Sequence, residues 1–455
     1  MHDLVIIGGG AAGLTAALTA RKVNWNANIT LISDEELHYS PCALPFVIAG
    51  EIDGFDKISE SLVKICEEND IECIIDKAID IDVVDKWVET EKGERLEYTS
   101  LILATGAKPI IPRINGIEKR GIFTLKTLED AKRIDEYIEK CKRALVVGGS
   151  AIGVEIAVAF KKRGLDVTLV EICDRLFSRA FDRDFSEEIE KKLRDNGIRI
   201  LTNSKVKSFF GESRVRGAEI IIQDKEPMEL ETDMVVLGTG VRANIELAEK
   251  AGLKIEHNAI KVNGLMATSV KNIFAAGDCT HSLSLVTSKP MLSQLGTTAI
   301  RQGKVAGTNA VGGYATMEGV LNSLIVKIFD LEVGRTGLTE EDCKYEEIET
   351  IVGKAKTTTR AEYFPNSKEI KIKLIFNALN RRLVGAQVVG YGNKVSGMID
   401  LLAFAIQRYA KIEELKNLKY CYTPPLSPAE HGIVTAAENA HRKLMRYIES
   451  RKRSF

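Results

Sequence analysis

Residues 38–47 read HYSPCALPFV and contain a single cysteine, Cys42, between two prolines. A cysteine thiolate is nucleophilic and can be oxidised reversibly, so a C-x4-C pair here would form a redox-active disulfide. Val47 occupies the position of the second cysteine of such a pair. Cys42 would therefore need an external partner, and would pass through a sulfenic acid or a mixed disulfide. The alternative to a redox role is that Cys42 serves only as a small buried hydrophobic residue.

The composition of the 455-residue chain is that of a globular protein, with 45% hydrophobic and 28% charged residues. A chain of this length exceeds one hydrophobic core, so about two to four domains are expected. The formal net charge of −1 gives no reason to expect nucleic acid or a membrane as a partner. The eight cysteines form no C-x-x-C pair, so we expect reduced thiols and no metal site in a cytoplasmic protein. The chain begins Met1-His2-Asp3, from which we expect no signal peptide.

A first glycine-rich turn follows the apolar segment 4–7, which is typical of a buried parallel strand. The turn reads Gly8-Gly9-Gly10-Ala11-Ala12-Gly13, and a helical segment, 14–22, comes next. A second strand-like segment, 28–33, completes the pattern. The sequence therefore predicts a strand-helix-strand unit of the kind that binds a dinucleotide.

The glycine spacing G-x-G-x-x-G has a physical reason at each position. Gly8 permits a tight turn, Gly10 lets a pyrophosphate approach the backbone, and Gly13 lets helix and strand pack closely. The second strand of such a unit normally ends in an acid that binds the adenosine ribose. Here Ser33 stands at that place and Asp34 follows it, so Asp34 is the candidate acid.

The same pattern returns later in the chain. A strand-like segment, 143–147, leads into Gly148-Gly149-Ser150-Ala151-Ile152-Gly153. A helical segment, 154–162, and a strand-like segment, 165–170, follow. Serine replaces the middle glycine but is still small enough for a nearby phosphate. A second dinucleotide-binding unit is predicted, which suggests a resident flavin and a diffusing nicotinamide nucleotide.

Glu171 ends the last of these strands, where a carboxylate can hydrogen-bond a ribose 2′-hydroxyl. The carboxylate would repel a 2′-phosphate, so NADH is favoured over NADPH. The nearby Arg175 keeps NADPH as an alternative, and the alternative for Glu171 is an ordinary exposed glutamate at a strand end.

Three further motifs complete a pattern that covers almost the whole chain. Residues 101–107 read LILATGA, residues 235–242 read VVLGTGVR, and residues 272–278 read NIFAAGD. In this order, together with the two glycine turns, they resemble the FAD-dependent pyridine nucleotide-disulfide oxidoreductases. The resemblance implies an α/β fold with two Rossmann-like dinucleotide-binding domains, the NAD domain being inserted in the FAD domain, and a C-terminal α+β dimerisation domain.

The resemblance implies domain boundaries and a set of cofactor-binding residues. The FAD domain would comprise residues 1–113 and 250–315, the NAD(P)H domain residues 114–249 and the dimerisation domain residues 316–455. The residues expected to hold FAD are Gly8, Gly10, Ala12, Gly13, Ser33, Asp34, Ala78, Ala104, Thr105, Gly106, Asp278 and Thr297. Those expected to hold the nicotinamide nucleotide are Gly148, Gly149, Ser150, Ile152, Gly153, Glu155, Glu171 and Gly240. In the family the acid at Asp278 binds the ribityl chain, and Thr297 lies in a helix whose amino end faces the flavin.

HYSPCALPFV resembles the single-cysteine branch of this family, which includes NADH oxidases, NADH peroxidases and CoA-disulfide reductases. Cys42 aligns with the redox cysteine of that branch. The CoA-linked members also carry tyrosines that reach the site from the partner subunit, matched here by Tyr363 and Tyr422, and basic residues for CoA phosphates, matched by Arg21 and Lys22. Ordinary interface tyrosines and a charged helix end are the alternatives for these four residues.

The expected function is that of a homodimer that oxidises NADH and reduces a small disulfide or persulfide, such as CoA-disulfide, through Cys42. Reduction of O2 is the close alternative, because Ala151 stands where the family usually has an aromatic residue that shields the flavin. The histidine that peroxidases carry in the first glycine turn is replaced by Ala11. Alternatives of other classes are an electron-transfer reductase for a small redox protein, which would not need Cys42, and a redox-sensing binding protein.

Overall fold

The computed structural model describes residues 2–453, and the chain opens with a parallel sheet built around an apolar strand. The elements of this segment are β1 (His2–Ile7), α1 (Ala11–Val23), β2 (Ile29–Ser33), β3 (Leu37–Tyr39), α2 (Leu44–Ile48), β4 (Ser59–Ser61), α3 (Leu62–Glu67), β5 (Glu72–Ile75), β6 (Ala78–Asp82), β7 (Trp87–Thr90), β8 (Arg95–Leu103) and β9 (Ala107–Pro109). The sheet order is β5-β2-β1-β8-β7-β6. Strands β5, β2, β1 and β8 are parallel, and β6 and β7 add an antiparallel edge.

A second parallel sheet follows. Its segment contains β10 (Ile122–Thr124), α4 (Leu128–Ile138), β11 (Arg143–Val147), α5 (Ala151–Lys162), β12 (Asp166–Val170), α6 (Arg183–Asp195), β13 (Ile198–Leu201), β14 (Ser204–Phe210), β15 (Gly217–Ile222), β16 (Met228–Glu231), β17 (Met234–Leu237), β18 (Val241–Ala243) and α7 (Glu246–Lys250). The parallel order is β10-β17-β11-β12-β13, and β14, β15 and β16 form an antiparallel sheet. Because β18 pairs with β9, the two units are joined by a two-stranded connection.

The chain then returns to the first sheet. This segment contains β19 (Ile255–Glu256), β20 (Ala259–Ile260), β21 (Ile273–Ala275), β22 (His281–Leu283), β23 (Pro290–Leu292) and α8 (Gly296–Ala310). Strand β21 pairs in parallel with β8. Helix α8 crosses α1 closely, since a Cβ atom on Gly303 would lie 2.4 Å from the carbonyl oxygen of Ala12, and one on Gly307 2.3 Å from that of Ala16.

The last segment forms an antiparallel sheet with helices. It contains β24 (Leu324–Ile328), β25 (Leu331–Gly337), α9 (Glu340–Tyr345), β26 (Thr350–Thr358), β27 (Glu369–Asn377), β28 (Leu383–Gly390), α10 (Val395–Gln407), α11 (Ile412–Lys416) and α12 (Gly432–Arg453). The order is β24-β25-β28-β27-β26. Residues of α10, α11 and α12 share one apolar core with β26, β27 and β28. The buried Lys373 of β27 reaches the second unit, where its Nζ atom lies 3.0 Å from Asp182 and 2.6 Å from Asp184.

The predicted strand-helix-strand units are both present. The first helix begins at Ala11 rather than Leu14, and the second at Ala151 rather than Val154, because each helix starts inside its glycine turn. The return of β21 to the first sheet agrees with an inserted second unit, while the residue boundaries of the domains stay a prediction. Within residues 2–453, no helix combines the length and the apolar character needed to cross a membrane.

Candidate active site

The two glycine turns have the same backbone geometry. Gly8 has a φ of 110° and Gly148 a φ of 107°, both in the left-handed region that favours glycine. A Cβ atom on Gly8 would lie 2.2 Å from the carbonyl oxygen of Ala104, and one on Gly148 would lie 2.3 Å from that of Gly238. A side chain at either position would therefore collide with the neighbouring strand end.

The other positions of the turns form an open cradle at the start of a helix. Cβ atoms on Gly13 and Gly153 would lie 1.8 and 1.9 Å from the carbonyl oxygen of the first glycine of their own turn. A Cβ atom on Gly10 would meet nothing within 4 Å, and Gly10 and Ser150 begin α1 and α5 without a side-chain cap. The first N–H groups of each helix are thus free to donate to a pyrophosphate, as a dinucleotide requires.

The strand ends beside the two turns also correspond. The first glycine of each turn donates its N–H to a strand carbonyl at 2.8 Å, that of Ile32 in one unit and that of Val170 in the other. Ser33 and Glu171, the next residues, therefore hold equivalent positions. Asp34 lies one residue further along and is exposed. The first unit therefore has Ser33 at the strand end where the second unit has the acid Glu171.

The carboxylate of Glu171 is already bound to the second glycine turn. It accepts the N–H of Gly149 at 2.5 Å and that of Cys173 at 2.7 Å. Arg175, which kept NADPH as an alternative, is buried and donates to Glu341 at 2.6 Å. Its guanidinium is therefore engaged in an ion pair rather than free for a 2′-phosphate.

The strand-end motifs line the same two cradles. The hydroxyl of Thr105 donates to the carbonyl oxygen of Asn244 at 2.6 Å, which ties the first unit to the residues after β18. Gly106 and Gly240 both adopt a left-handed φ, 68° and 96°, in matching turns. Ala78 begins β6 shortly after Asp76, whose N–H donates to the carbonyl oxygen of Ser33 at 2.9 Å.

Helix α8 places its amino end near the first cradle. Gly303 lies against Ala12 and Gly307 against Ala16, so α8 and α1 run parallel. Because α8 has more residues ahead of these contacts than α1 has, its first turn lies about 10 Å further toward the amino-terminal side than the first turn of α1. Thr297 is exposed in the first turn of α8, and Ile152 is half-buried in that of α5. Gln302 of α8 accepts the N–H of Gly277 at 2.7 Å and so fixes the turn that carries Asp278.

Cys42 lies in a 3₁₀ turn, Pro41–Ala43, between β3 and α2. Its side chain is exposed, whereas Val47 is buried in α2, which packs against α5 of the second unit. The segment is tied to the first glycine turn by the Nδ1 atom of His38, which lies 3.1 Å from the carbonyl oxygen of Gly9. The proline-bracketed turn thus presents the thiol beside both nucleotide-binding units.

Three charged residues act on the Cys42 thiol. Although the side chain is exposed at the surface, the protein atoms packed around the sulfur partly desolvate it and raise its pKa, the carboxylates of Glu155 and Asp278 raise it further, and Lys126 lowers it. Burial also raises the pKa of Glu155 to about 7. Lys126 forms an ion pair with Asp278 at 3.3 Å. On balance the surrounding protein groups disfavour the Cys42 thiolate.

Lys126 was missed by the sequence reasoning. The sequence pattern next to Lys126 is a capping box, formed by the Thr127 side chain and Asp130 at the start of α4. That pattern predicts a helix start and says nothing about a contact with Asp278. Asn244 and Gln302 were missed for the same reason, since their partners are remote in sequence.

Tyr363 and Tyr422 are brought together on the C-terminal unit. Their phenol oxygens lie 3.3 Å apart, and the side chains are 76% and 47% exposed. Tyr363 lies between β26 and β27, and Tyr422 between α11 and α12. The hydrogen bond between them raises the pKa of Tyr422. Among the described contacts within this chain, neither phenol touches Cys42.

Arg21 and Lys22 lie at the end of α1, about 15 Å along the helix from the glycine turn. Arg21 is only 6% exposed, and its guanidinium donates to the backbone carbonyl oxygens of Trp25 at 2.7 Å and Asn69 at 3.2 Å, and to that of Asp70. The prediction that Arg21 meets CoA phosphates finds no support in this arrangement, because these carbonyl groups occupy its donors. Lys22 is exposed and remains a candidate.

Comparison with known proteins agrees with this geometry. Residues 2–303 match the pyridine nucleotide-disulphide oxidoreductase family, and residues 324–431 match the dimerisation domain of that family. An NADH oxidase of Methanocaldococcus jannaschii is 43% identical over 97% of this chain and 99% of its own length. An NAD(P)H coenzyme A polysulfide/persulfide reductase of Pyrococcus horikoshii is 31% identical over 95% of this chain and 97% of its own.

A solved structure shares the whole architecture. The NAD-dependent persulfide reductase from A. fulgidus is 35% identical, with a TM-score of 0.93, and the match covers 97% of this chain and 83% of that one. The fold class predicted from the motifs is confirmed. The chain therefore belongs to the pyridine nucleotide-disulphide oxidoreductases, the FAD-dependent family whose two nucleotide-binding domains and dimerisation domain its sequence motifs predict.

Proposed function

We propose that this enzyme oxidises NADH and reduces a low-molecular-weight disulfide or persulfide, such as CoA-disulfide, at Cys42. The observation that carries the proposal is the setting of the thiol. Cys42 is exposed in a turn beside both nucleotide-binding units, and Glu155, Lys126 and Asp278 act on its charge. The persulfide reductases among its relatives support the choice of oxidant.

The residues present fit both cofactors. The cradle at Gly8, Gly10 and Gly13 would hold the pyrophosphate of FAD, and Asp278 its ribityl chain. The cradle at Gly148 to Gly153 would hold NADH, with Glu171 at the adenosine ribose. Bound FAD would supply the electron transfer between NADH and sulfur.

The sulfur chemistry belongs to Cys42. Its thiolate attacks one sulfur of the disulfide, the S–S bond breaks, and the first thiol leaves after protonation. A two-electron reduction of the resulting mixed disulfide releases the second thiol and restores the thiolate. With a pKa of about 7, Glu155 can hold or release a proton at neutral pH beside this sulfur.

The tyrosine pair would serve the leaving thiolate. A phenol can hydrogen-bond or protonate a departing sulfur. Because Tyr363 and Tyr422 are exposed and do not touch Cys42 of their own chain, we propose that they act on Cys42 of the second subunit of a homodimer. Lys22 would contribute to binding of the CoA phosphates. We further propose a cytoplasmic location.

A second candidate function is the reduction of O2. Ala151 opens α5 beside the second glycine turn and carries only a methyl group, so it offers no shield for the nicotinamide face of a flavin. The relative named NADH oxidase supports this candidate. An Ala151→Tyr variant should consume O2 more slowly, with Ala151→Ser as the matched control. An unchanged rate in the tyrosine variant would remove the argument.

The proposed function is tested by anaerobic NADH oxidation with CoA-disulfide, a CoA persulfide and rubredoxin in turn. Wild type should turn over the CoA compounds, and Cys42→Ser should not. Activity with rubredoxin alone, equal in both proteins, would instead indicate an electron-transfer reductase. Slow turnover with every acceptor, accompanied by a change of conformation on reduction, would indicate a redox sensor.

A further inference from the structure

Helix α5 carries a line of four residues that runs from the active site to the protein surface. Their spacing of i, i+3, i+4 and i+7 places them on one face, and they are Glu155, Val158, Ala159 and Lys162. Glu155 and Lys162 are separated by about two helical turns, roughly 10 Å along the axis. Because side chains lean toward the amino end of a helix, the long side chain of Lys162 reaches back toward Glu155.

A small cavity lies against this face and is called the α5 cavity. All four residues of the face line it. Ala49 and Glu51, at and after the end of α2, form a second wall, and Lys327 and Phe329 of the C-terminal unit form a third. Helix α5 packs on both α2 and β24, so the cavity lies where three units of the chain meet. It has room for about one water molecule, which can connect polar groups at its two ends.

Glu51 holds the outer end of the α5 cavity between two lysines. Its carboxylate accepts a hydrogen bond from the Nζ atom of Lys162 at 2.6 Å and from that of Lys327 at 3.0 Å. Partial burial by itself would raise the pKa of this carboxyl, but the two ammonium groups lower the pKa overall. Glu51 therefore stays ionised at neutral pH, so it can accept a proton from solvent and pass it on without retaining it.

The carboxyl group of Glu155 closes the inner end of the cavity. Within residues 2–453 the structure gives it no hydrogen-bond or ion-pair partner, and burial raises its pKa to about 7. The titratable and charged groups that face it are Cys42, from the turn before α2, and Glu51, Lys162 and Lys327 across the cavity. An acid that exchanges its proton near neutral pH thus lies between the redox thiol and a cavity that leads to the surface.

We propose that the α5 cavity is the route by which Glu155 takes up protons from solvent during turnover. This inference rests on the proposed function, in which NADH, one proton and a disulfide give NAD⁺ and two thiols. NADH supplies two electrons and one proton, and the S–S bond breaks as it takes up the electrons, so the second proton must come from solvent. Glu155 gives this proton to the thiolate at the Cys42 site, and a water molecule in the cavity restores it from the Glu51 end.

The test measures anaerobic NADH oxidation with CoA-disulfide by the FAD-loaded full chain, in H2O and in D2O. Ala49→Leu adds a branched side chain to the wall of the α5 cavity, where Ala49 is half-buried at the end of α2. It should lower kcat by about tenfold and raise the solvent isotope effect on kcat by about twofold, because proton uptake becomes the slow step. Ala251→Leu, half-buried at the end of α7, makes the same change elsewhere and should keep both wild-type values.

A second variant makes the result independent of how well the cavity tolerates leucine. Glu51→Gln keeps the size of the side chain but removes the outer carboxylate. It should show the same raised isotope effect, and added formate, a small proton carrier, should restore the rate. A normal kcat in both variants, or a loss of rate without a larger isotope effect and without rescue, overturns the inference. Absence of wild-type turnover with CoA-disulfide would overturn the proposed function itself and this inference with it.

Discussion

Lys126 and Asp278 form an ion pair of 3.3 Å that joins the second nucleotide-binding unit to the first. Lys126 also lowers the pKa of Cys42, whereas Asp278 raises it. The lysine thus links the turn that carries Asp278 to the Cys42 thiol. Since both members of the pair are partly shielded from solvent, their charges act more strongly on the thiol than surface charges would.

Replacing Lys126 tests this link. Lys126→Met removes a positive charge that lowers the pKa of Cys42, so the thiolate should become scarcer at neutral pH. The rate at which iodoacetamide alkylates Cys42 should fall about threefold to tenfold at pH 7. Mass spectrometry of the tryptic peptide 23–57, in which Cys42 is the only cysteine, follows the reaction. Lys126→Arg should stay close to wild type, and an equal loss in both variants would rule out a charge effect.

Replacing Glu155 should have the opposite effect. Its carboxylate raises the pKa of Cys42, so Glu155→Gln should lower that pKa and shift the pH profile of alkylation to lower pH. In wild type the effect of Glu155 should grow as the pH rises through about 7, where the acid ionises. Glu136→Gln, an exposed acid on α4, is the matched control. A profile that is the same for all three proteins would contradict the assignment.

The tyrosine pair should act on the sulfur substrate and not on NADH. Tyr363→Phe and Tyr422→Phe should each reduce turnover with CoA-disulfide by about tenfold to a hundredfold, because each removes a phenol from the 3.3 Å pair. NADH oxidation with an artificial dye acceptor should be unchanged. Tyr345→Phe, which alters an exposed phenol elsewhere, serves as control. Parallel losses with CoA-disulfide and with the dye would point to a structural role for the pair.

Glu171 should set the preference for NADH. Its carboxylate is fixed by the N–H groups of Gly149 and Cys173 beside the second cradle, where it would oppose a 2′-phosphate. Glu171→Ala should raise the ratio of kcat/KM for NADPH to that for NADH by about tenfold or more. Asp174→Ala, a neighbouring exposed acid, should change the ratio little. If both variants keep the wild-type ratio, specificity lies elsewhere.

The parts of the structure that follow from local rules could be predicted from the sequence. Gly8 and Gly148 must be glycine because a side chain would strike the next strand end, and that requirement appears as a spacing within one motif. The substitution of Ser33 for the ribose acid was visible in the same way. Its equivalence with Glu171 is confirmed by the matching hydrogen bonds of the two turns.

The parts that depend on distant contacts could not be predicted. Arg21 looks like a free basic residue at a helix end, and only the fold brings the carbonyl oxygens of Asn69 and Asp70 to it. Lys126 and Asp278 are 152 positions apart, and no periodicity links them.

The central claim is that electrons leave the enzyme through the sulfur of Cys42. The most direct measurement mixes the NADH-reduced protein with CoA-disulfide under anaerobic conditions, quenches with acid, and determines the mass of peptide 23–57. A CoA mixed disulfide on Cys42 that appears early and disappears while NADH remains is the predicted result. Release of free CoA at the wild-type rate, with Cys42 never modified, would contradict the account.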